Sequence, residues 1–284
     1  MALKDISFSV ERNELFGLIG PDGAGKTTLF RILTTLLLAD EGSASVNDFD
    51  VVKDYQRIRS CVGYMPGKFS LYQDLTIEEN LNFFATVFGT TIKENYDLIK
   101  DIYQQIEPFK DRRAGQLSGG MKQKLGLCCA LIHRPDVLFL DEPTTGVDVV
   151  SRREFWEMLK RLKGQGITIL VSTPYMDEAN LCDRIALMQK GEILSIDTPA
   201  KIIQSDPNRL YAIKSSNIFR LLKDARSYPG IASCFAFGDA IHATFKDRSD
   251  TGMMDYLHSR GHMDARLEAI TPGIEDCFIH LLKN

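Results

Sequence analysis

Along the first two thirds of the chain, from "ELFGLIG" to "GEILSI", short continuous apolar runs alternate with stretches of helical period. Apolar runs of four to eight residues read as strands buried on both faces, and the alternation predicts an α/β domain with a largely parallel sheet. Between two of those strands lies a mostly helical insertion, about residues 69–135. It opens with "DLTIEENLNFFATVFG", where Thr76 is placed to cap a helix and Glu78 and Glu79 favour its positive end. The pattern changes near Pro199. From there, strand "LYAIK", helix "IFRLLKDARS", strand "IASCFAF", a turn at Gly238-Asp239, strand "AIHATF", helix "DTGMMDYLHSRG" and strand "ARLEAI" follow in order. That order is the split β-α-β-β-α-β motif of ferredoxin-like domains. A last helix, "PGIEDCFIHLLKN", is predicted with Thr271 as its cap and Pro272 at its first position. The expected division is therefore 1–200 and 201–284.

Composition narrows the function classes. With 34 basic against 38 acidic residues, the chain has no positive field to gather nucleic acid. The longest apolar run, "LFRILTTLLLAD", is interrupted by Arg31 and two threonines and falls short of the ~20 residues a spanning helix needs. The start, "MALKDISFSV", has no signal-peptide core, so the expectation is a cytoplasmic chain that meets a membrane only through a partner. Six cysteines without metal-ligand spacing read as reduced packing residues. His258 and His262 lie four apart, but Gly261 weakens the helix between them and no third ligand is evident, so a solvated helix end is expected.

Three stretches carry chemistry. "GPDGAGKTT" runs through Gly20, Pro21, Asp22, Gly23, Ala24, Gly25, Lys26, Thr27 and Thr28. It fits G-x-x-x-x-G-K-[ST], follows the strand "FGLI" and opens the helix "KTTLFRILTTLL". Its glycines let backbone N–H groups converge on phosphates at the positive end of that helix. Lys26 is placed for the β/γ-phosphates and the Thr27 hydroxyl for Mg²⁺. "VLFLDEP" would deliver Asp141 and Glu142 at the C-terminal edge of a buried strand, where ligands bind in such sheets. Asp141 can hold Mg²⁺ through water, and Glu142 can polarise the water that attacks the γ-phosphate. "LSGGMKQKLGLCCALIHRP" sets Ser118, Gly119 and Gly120 at a helix start, a second anion site. Either both sites meet one nucleotide within the monomer, or each completes a site with another subunit.

On these residues, from Leu3 to about Ala200, the chain resembles the ATP-binding subunits of ABC transporters. Walker A is "GPDGAGKT", Walker B is "VLFLDEP", the signature is "LSGGMKQ", and the D-loop "TTGVD" ends at Asp148. The resemblance implies a P-loop NTPase cassette with a helical subdomain, binding ATP and Mg²⁺. It also implies a head-to-tail pair in which the signature of one cassette closes over ATP held by the other. The Met of "LSGGM" and the ending "GIEDCFIHLL" look most like the drug-exporter branch served by ABC-2-type permeases. In that branch a permease's coupling helix would meet the segment after "GYMPGKFSLYQDLT", with Phe69, Tyr72, Phe83 and Phe84 as candidate contacts, although each also suits core packing.

The chain departs from the family at three places. Pro174 in "VSTPYMDEA" stands where the family has a histidine at the γ-phosphate, and proline offers neither a donor nor a titratable nitrogen. Gly67 in "GYMPGKF" stands where the family has a glutamine at Mg²⁺ and the attacking water, and Gln73 is six residues too far on. The adenine-stacking aromatic belongs a few residues upstream of "ALKDISFSV". Together these imply a Walker site that binds ATP and hydrolyses it poorly, while the intact signature serves a second ATPase domain, expected to be unlike this one, with a homodimer as the alternative. The expected setting is the inner face of a membrane, with permease subunits. Two rivals remain: a regulatory module in which ATP locks a dimer, and a non-transport soluble ABC ATPase, which two cassettes in one chain or a coiled-coil insertion would signal.

Overall fold

In the computed structural model, residues 2–247 and 252–282 are described. The chain forms two compact units, Met1–Pro199 and Ala200–Asn284.

The elements of the first unit are β1 (Leu15–Ile19), α1 (Lys26–Leu33), β2 (Ser45–Val46), β3 (Phe49–Asp50), α2 (Tyr55–Cys61), β4 (Val62–Met65), α3 (Ile77–Val87), α4 (Tyr96–Tyr103), α5 (Gly119–Leu131), β5 (Val137–Asp141), α6 (Val149–Gly164), β6 (Thr168–Thr173), β7 (Arg184–Gln189) and β8 (Glu192–Asp197). Helix α7 (Pro199–Ser205) follows. The main sheet has the order β4-β5-β6-β1-β7-β8, parallel throughout except at the β7–β8 hairpin. All five residues of β1 and of β5 are buried. This is why those strands read as unbroken apolar runs: helices cover a parallel sheet on both faces.

Register decides what the sheet presents. Asp141 pairs with Ser172, Leu18 also pairs with Ser172, and Ile19 pairs with Thr173. Met65 pairs with Leu140. Strands β4, β5, β6 and β1 therefore end together, and the loops beginning at Pro66, Glu142, Pro174 and Gly20 leave from one edge.

Helix α1 stops at Leu33, four residues short of the expected end at Leu37. The Thr34 hydroxyl donates to the Phe30 carbonyl (2.7 Å), and Thr35 takes a left-handed φ of 61°, which turns the chain out of the helix. Thr76 caps α3 as expected: its Oγ1 accepts from the Glu79 N–H (3.1 Å), and the Glu79 carboxylate accepts from the Thr76 N–H (2.8 Å).

The second unit contains β9 (Leu210–Lys214), α8 (Ile218–Arg226), β10 (Ile231–Phe237), β11 (Ala240–Phe245), α9 (Met253–Ser259), β12 (Arg266–Ile270) and α10 (Ile274–Leu281). Its sheet, β10-β11-β9-β12, is antiparallel throughout, the split arrangement of a ferredoxin-like domain. Tyr211, Ile213, Leu221, Ile241, Phe245 and Leu257 form its core.

Two details differ from the sequence reading. Helix α10 starts at Ile274 with Gly273 as its cap, because the Asp276 carboxylate accepts from the Gly273 N–H (2.8 Å); Thr271 and Pro272 stay outside the helix. His262 is buried, and its Nε2 lies 2.9 Å from Asp224 Oδ2, so a pairing carboxylate on α8 draws it out of solvent. The six cysteines are free, five of them buried. Among the described residues no helix is long and apolar enough to cross a membrane, and no cluster of His, Cys, Asp or Glu is arranged to hold a metal.

Candidate functional site

The loop leaving β1 closes over the start of α1. Gly25 precedes the helix with a left-handed φ of 105°, and no side chain caps the N–H groups of the first turn. Those donors remain available to an anion, and the aligned peptide dipoles add positive potential there. A left-handed φ and close packing both demand glycine at position 25, since a Cβ would meet the Ala2 carbonyl at 2.8 Å. Lys26 is only 3% exposed. Its Nζ donates to the carbonyls of Gly20 (2.7 Å) and Pro21 (3.0 Å) and pairs with Glu142 Oε1 at 3.1 Å. Asp22 and Gly23 form the exposed tip of the loop, while Ala24 is buried beneath it. A cavity of about 440 Å³ runs along this loop, lined by residues 23–28, Glu142, Ala2, Lys4 and Lys190.

The carboxylates of β5 arrive beside it. Thr27 Oγ1 donates to Asp141 Oδ1 (3.2 Å), which also accepts from Ser172 Oγ (2.7 Å). A hydroxyl and a carboxylate held together at the start of an anion-binding helix are the hard oxygen donors that suit Mg²⁺ between protein and phosphate. Glu142 sits at φ 51°, a left-handed conformation that costs a non-glycine residue about 1–2 kcal/mol. Its N–H compensates by donating to the Ser172 carbonyl (3.1 Å) and Ser172 Oγ (3.0 Å), so β6 fixes the bend that aims the carboxylate at Lys26. Burial and the negative charge of Asp141 raise the pKa of neighbouring Tyr64.

Two of the three departures from the family pattern, Gly67 and Pro174, lie on this edge. A Cβ at Gly67 would stand 2.9 Å from the Asp141 carbonyl and 3.8 Å from Glu142 Cβ. Position 67 thus abuts the carboxylate strand, and a longer side chain there requires the 141–142 segment to shift. Pro174 follows the last residue of β6, and the next N–H, that of Tyr175, donates to Thr173 Oγ1 (3.1 Å). Gln73 lies with the helical insertion instead, its carbonyl accepting from the Gly115 N–H (2.9 Å).

Ser118, Gly119 and Gly120 do not line the cavity. Ser118 is the N-cap of α5, its Oγ accepting from the Met121 N–H at a long 3.4 Å. A Cβ on Gly119 would be 3.5 Å from the Gly146 carbonyl, and one on Gly120 would be 3.1 Å from Ser151 Oγ. The second glycine-rich helix start therefore lies against the loop that leads into α6, where Asp148 caps the helix by accepting from the Val150 and Ser151 N–H groups (3.1 and 3.0 Å). Lys124 and Glu154 join α5 to α6 at 3.1 Å.

A glycine loop with a buried lysine, a strand-end Asp-Glu pair and a separate serine-capped glycine helix now stand together, and comparison with known proteins matches them. The family model "ABC transporter" covers residues 3–145. The chain belongs to the ABC transporter ATP-binding family. The chain is 41% identical over 286 residues to the probable multidrug ABC transporter ATP-binding protein YbhF of Escherichia coli (strain K12), covering 99% of this chain and 49% of that protein. The chain thus spans about half the length of that relative. It is 33% identical to the Nod factor export ATP-binding protein I of Rhizobium sp. (strain N33) across 99% of this chain and 92% of that one. Among solved structures, an ATP-binding subunit of an ABC transporter superposes with a TM-score of 0.65 at 28% identity, covering 72% of this chain and 86% of the other. The first unit accordingly has the fold of an ABC-type ATPase.

Two features of the site carry no signal in the sequence. Ser172 braces both Asp141 and Glu142. Ala2, Lys4 and Lys190 reach the cavity from remote segments.

Proposed function

We propose that the chain is the ATP-binding and hydrolysing subunit of a membrane exporter of the ABC-2 type, with a weakened Walker site of its own and an intact signature that completes a stronger site on a second, unlike cassette. The exporter reading draws on relatives named for multidrug and Nod factor export. Permease subunits at the inner face of the membrane would be its partners. Their docking surface would include Tyr72 and Phe83, which are 51% and 39% exposed and stack edge-on at 4.9 Å on the helical insertion. Phe84, half-buried, extends that aromatic row, while Lys122 lies over the Phe69 ring. The unit after Pro199 contributes none of the residues named in the chemistry and is assigned an accessory role.

In this reading Gly20–Thr28 wraps the phosphates, Lys26 turns from Gly20, Pro21 and Glu142 to the β/γ-phosphates, and Thr27 with Asp141 would hold Mg²⁺. The metal, when bound, would offset charge on the phosphate oxygens. Release of Lys26 frees Glu142 to accept a hydrogen bond from the water that attacks the γ-phosphorus. What supports the weakening is the contact at position 67: backbone carbonyl occupies the space a side chain would need to reach that water, and Pro174 supplies no second donor. That Ser118, Gly119 and Gly120 are not among the cavity's lining residues supports their use by a partner.

The test is steady-state ATP turnover of the assembled complex in detergent. Glu142→Gln is expected to keep most of the rate, and Gly119→Asp to remove most of it, since a carboxylate at that helix start would repel the partner's γ-phosphate. Equal, near-complete loss in both variants would make the two sites equivalent and refute the weakened site.

A further inference from the structure

Glu178 is only 1% exposed, and the phosphate chemistry leaves it unused. It lies on the segment that follows β6, just beyond Pro174. Its Oε2 accepts from two buried hydroxyls, Thr144 Oγ1 (3.1 Å) and Thr173 Oγ1. Its Oε1 faces the guanidinium of Arg152, 3.6 Å from Nε, an ion pair too long for a hydrogen bond. Among the described residues neither that Oε1 nor that Nε has a hydrogen-bond partner. Arg152 also lies over the Tyr175 ring, 4.1 Å from its centroid, with Nη1 3.8 Å from Asp177 Oδ2. One carboxylate thus joins the loop after β5, the end of β6 and the first turn of α6.

Taking a carboxylate out of water is costly unless it is both paired and hydrogen-bonded, so a buried ion pair is a poor source of stability. What it supplies is direction. Thr144 belongs to the turn that follows Glu142, in which the Thr145 N–H donates to the Glu142 carbonyl (3.2 Å) and the Val147 N–H to the Thr144 carbonyl (3.3 Å). Ser172 holds Glu142 from its own N–H, on the upstream side of the left-handed bend. Glu178 holds the same bend from downstream, through Thr144. Neither Glu178 nor Arg152 lines the nucleotide cavity, so both can act on the chemistry only through other residues.

We propose that Glu178 is a positioning residue for Glu142, and that Arg152 keeps its carboxylate aimed: the pair holds the turn after β5 so that Glu142 points at the water beside the γ-phosphate. The proposal rests on the reading that Glu142 acts on that water in this chain's own site. Glutamine at position 178 separates the two halves of the contact. Its carbonyl oxygen can still accept from Thr144 and Thr173, but its uncharged amide has only donors to turn toward the donors of Arg152. The hydroxyl contacts survive that change, and the ion pair does not.

Single-turnover hydrolysis of Mg·ATP by an excess of the full chain, beside calorimetric Mg·ATP affinity, tests it. Glu178→Gln is expected to slow hydrolysis by about tenfold while affinity changes by less than about twofold. Arg152→Met should slow it comparably, and the double variant should be no slower than the slower single, since both act through one contact. Arg152→Lys, which keeps the charge, should recover most of the rate lost in Arg152→Met. Emission of Trp156, the chain's only tryptophan, buried one turn beyond Arg152 on α6, reports whether each variant keeps its native packing. Loss of native Trp156 emission in both Glu178→Gln and Arg152→Met would make the pair a support of the fold and overturn the proposal. So would an unchanged rate in Glu178→Gln, losses that multiply in the double variant, or affinity that falls in step with rate. Wild type no faster than Glu142→Gln would instead refute the reading of Glu142 on the attacking water, and the proposal with it.

Discussion

Helices α1 and α5 both begin at glycines after a loop, yet they are built for different tasks. At α1 the cap is Gly25 in a left-handed conformation, no side chain occupies the first-turn donors, and the helix's first residue is a buried lysine that donates to the loop carbonyls. That start is a complete anion site: donors, dipole and cation come from one stretch. At α5 the cap is Ser118, whose hydroxyl is loosely occupied at 3.4 Å, and the glycines lie against the loop that runs into α6 rather than in a cavity. That start offers a hydroxyl and amides but no wall on its other side. The same helix-end physics yields a self-sufficient site when the loop folds back over the helix, and half a site when it does not.

The strongest test of the contrast is Lys26→Ala. Because Lys26 is the cation of the α1 site, Mg·ATP affinity of the isolated chain should fall by about 100-fold or more, measured by calorimetry. Unchanged affinity would make α1 no better an anion site than α5. A smaller effect is expected from alanine at the glycines. Gly25→Ala places a Cβ 2.8 Å from the Ala2 carbonyl at φ 105° and should cost about 1–3 kcal/mol of stability in urea unfolding. Gly119→Ala meets nothing nearer than 3.5 Å and should stay within about 0.5 kcal/mol. Equal costs would remove the difference in packing between the two helix starts.

The smallest effect concerns acid. The N–H groups of Ser151 foremost, then of Val150, lower the pKa of Asp148 beneath the usual 3.8, which ties the loop beside α5 to α6. A carboxylate whose pKa is depressed on folding contributes stability above its unfolded pKa and loses it as pH falls through the folded value. Asp148→Asn should therefore lower the urea midpoint near pH 6 and converge with wild type as pH falls below 3.8 and through the folded value. Parallel midpoints down to that pH would show that the cap does not depend on charge.

Much of this was legible from the chain alone. The P-loop spacing, the strand-end Asp141-Glu142 and "LSGGM" identified the family, because each is a local arrangement whose chemistry depends on residues adjacent in sequence. The same holds for Thr76, whose capping box closes within four residues. Two readings changed in the structure: Asp276, three residues along, set the cap of α10 at Gly273, and a distant carboxylate, Asp224, drew His262 into the interior. At α1 the periodicity of "RILTTLLL" ran past the true end, since two threonines that a helix tolerates individually also turned the chain out of it.

Sequence by itself determined the fold class and the kind of ligand, since buried strands and phosphate loops are written in contiguous residues. Only the tertiary structure decided which groups stand side by side. Parallel register set Asp141 against Ser172 and brought Gly20, Glu142, Gly67 and Pro174 to one edge. Backbone close packing set Gly67 against the Asp141 carbonyl at the end of β5 and carried Lys4 and Lys190 to the same cavity from 186 positions apart. Strand pairing and backbone close packing act between segments remote in sequence, so no local pattern records them.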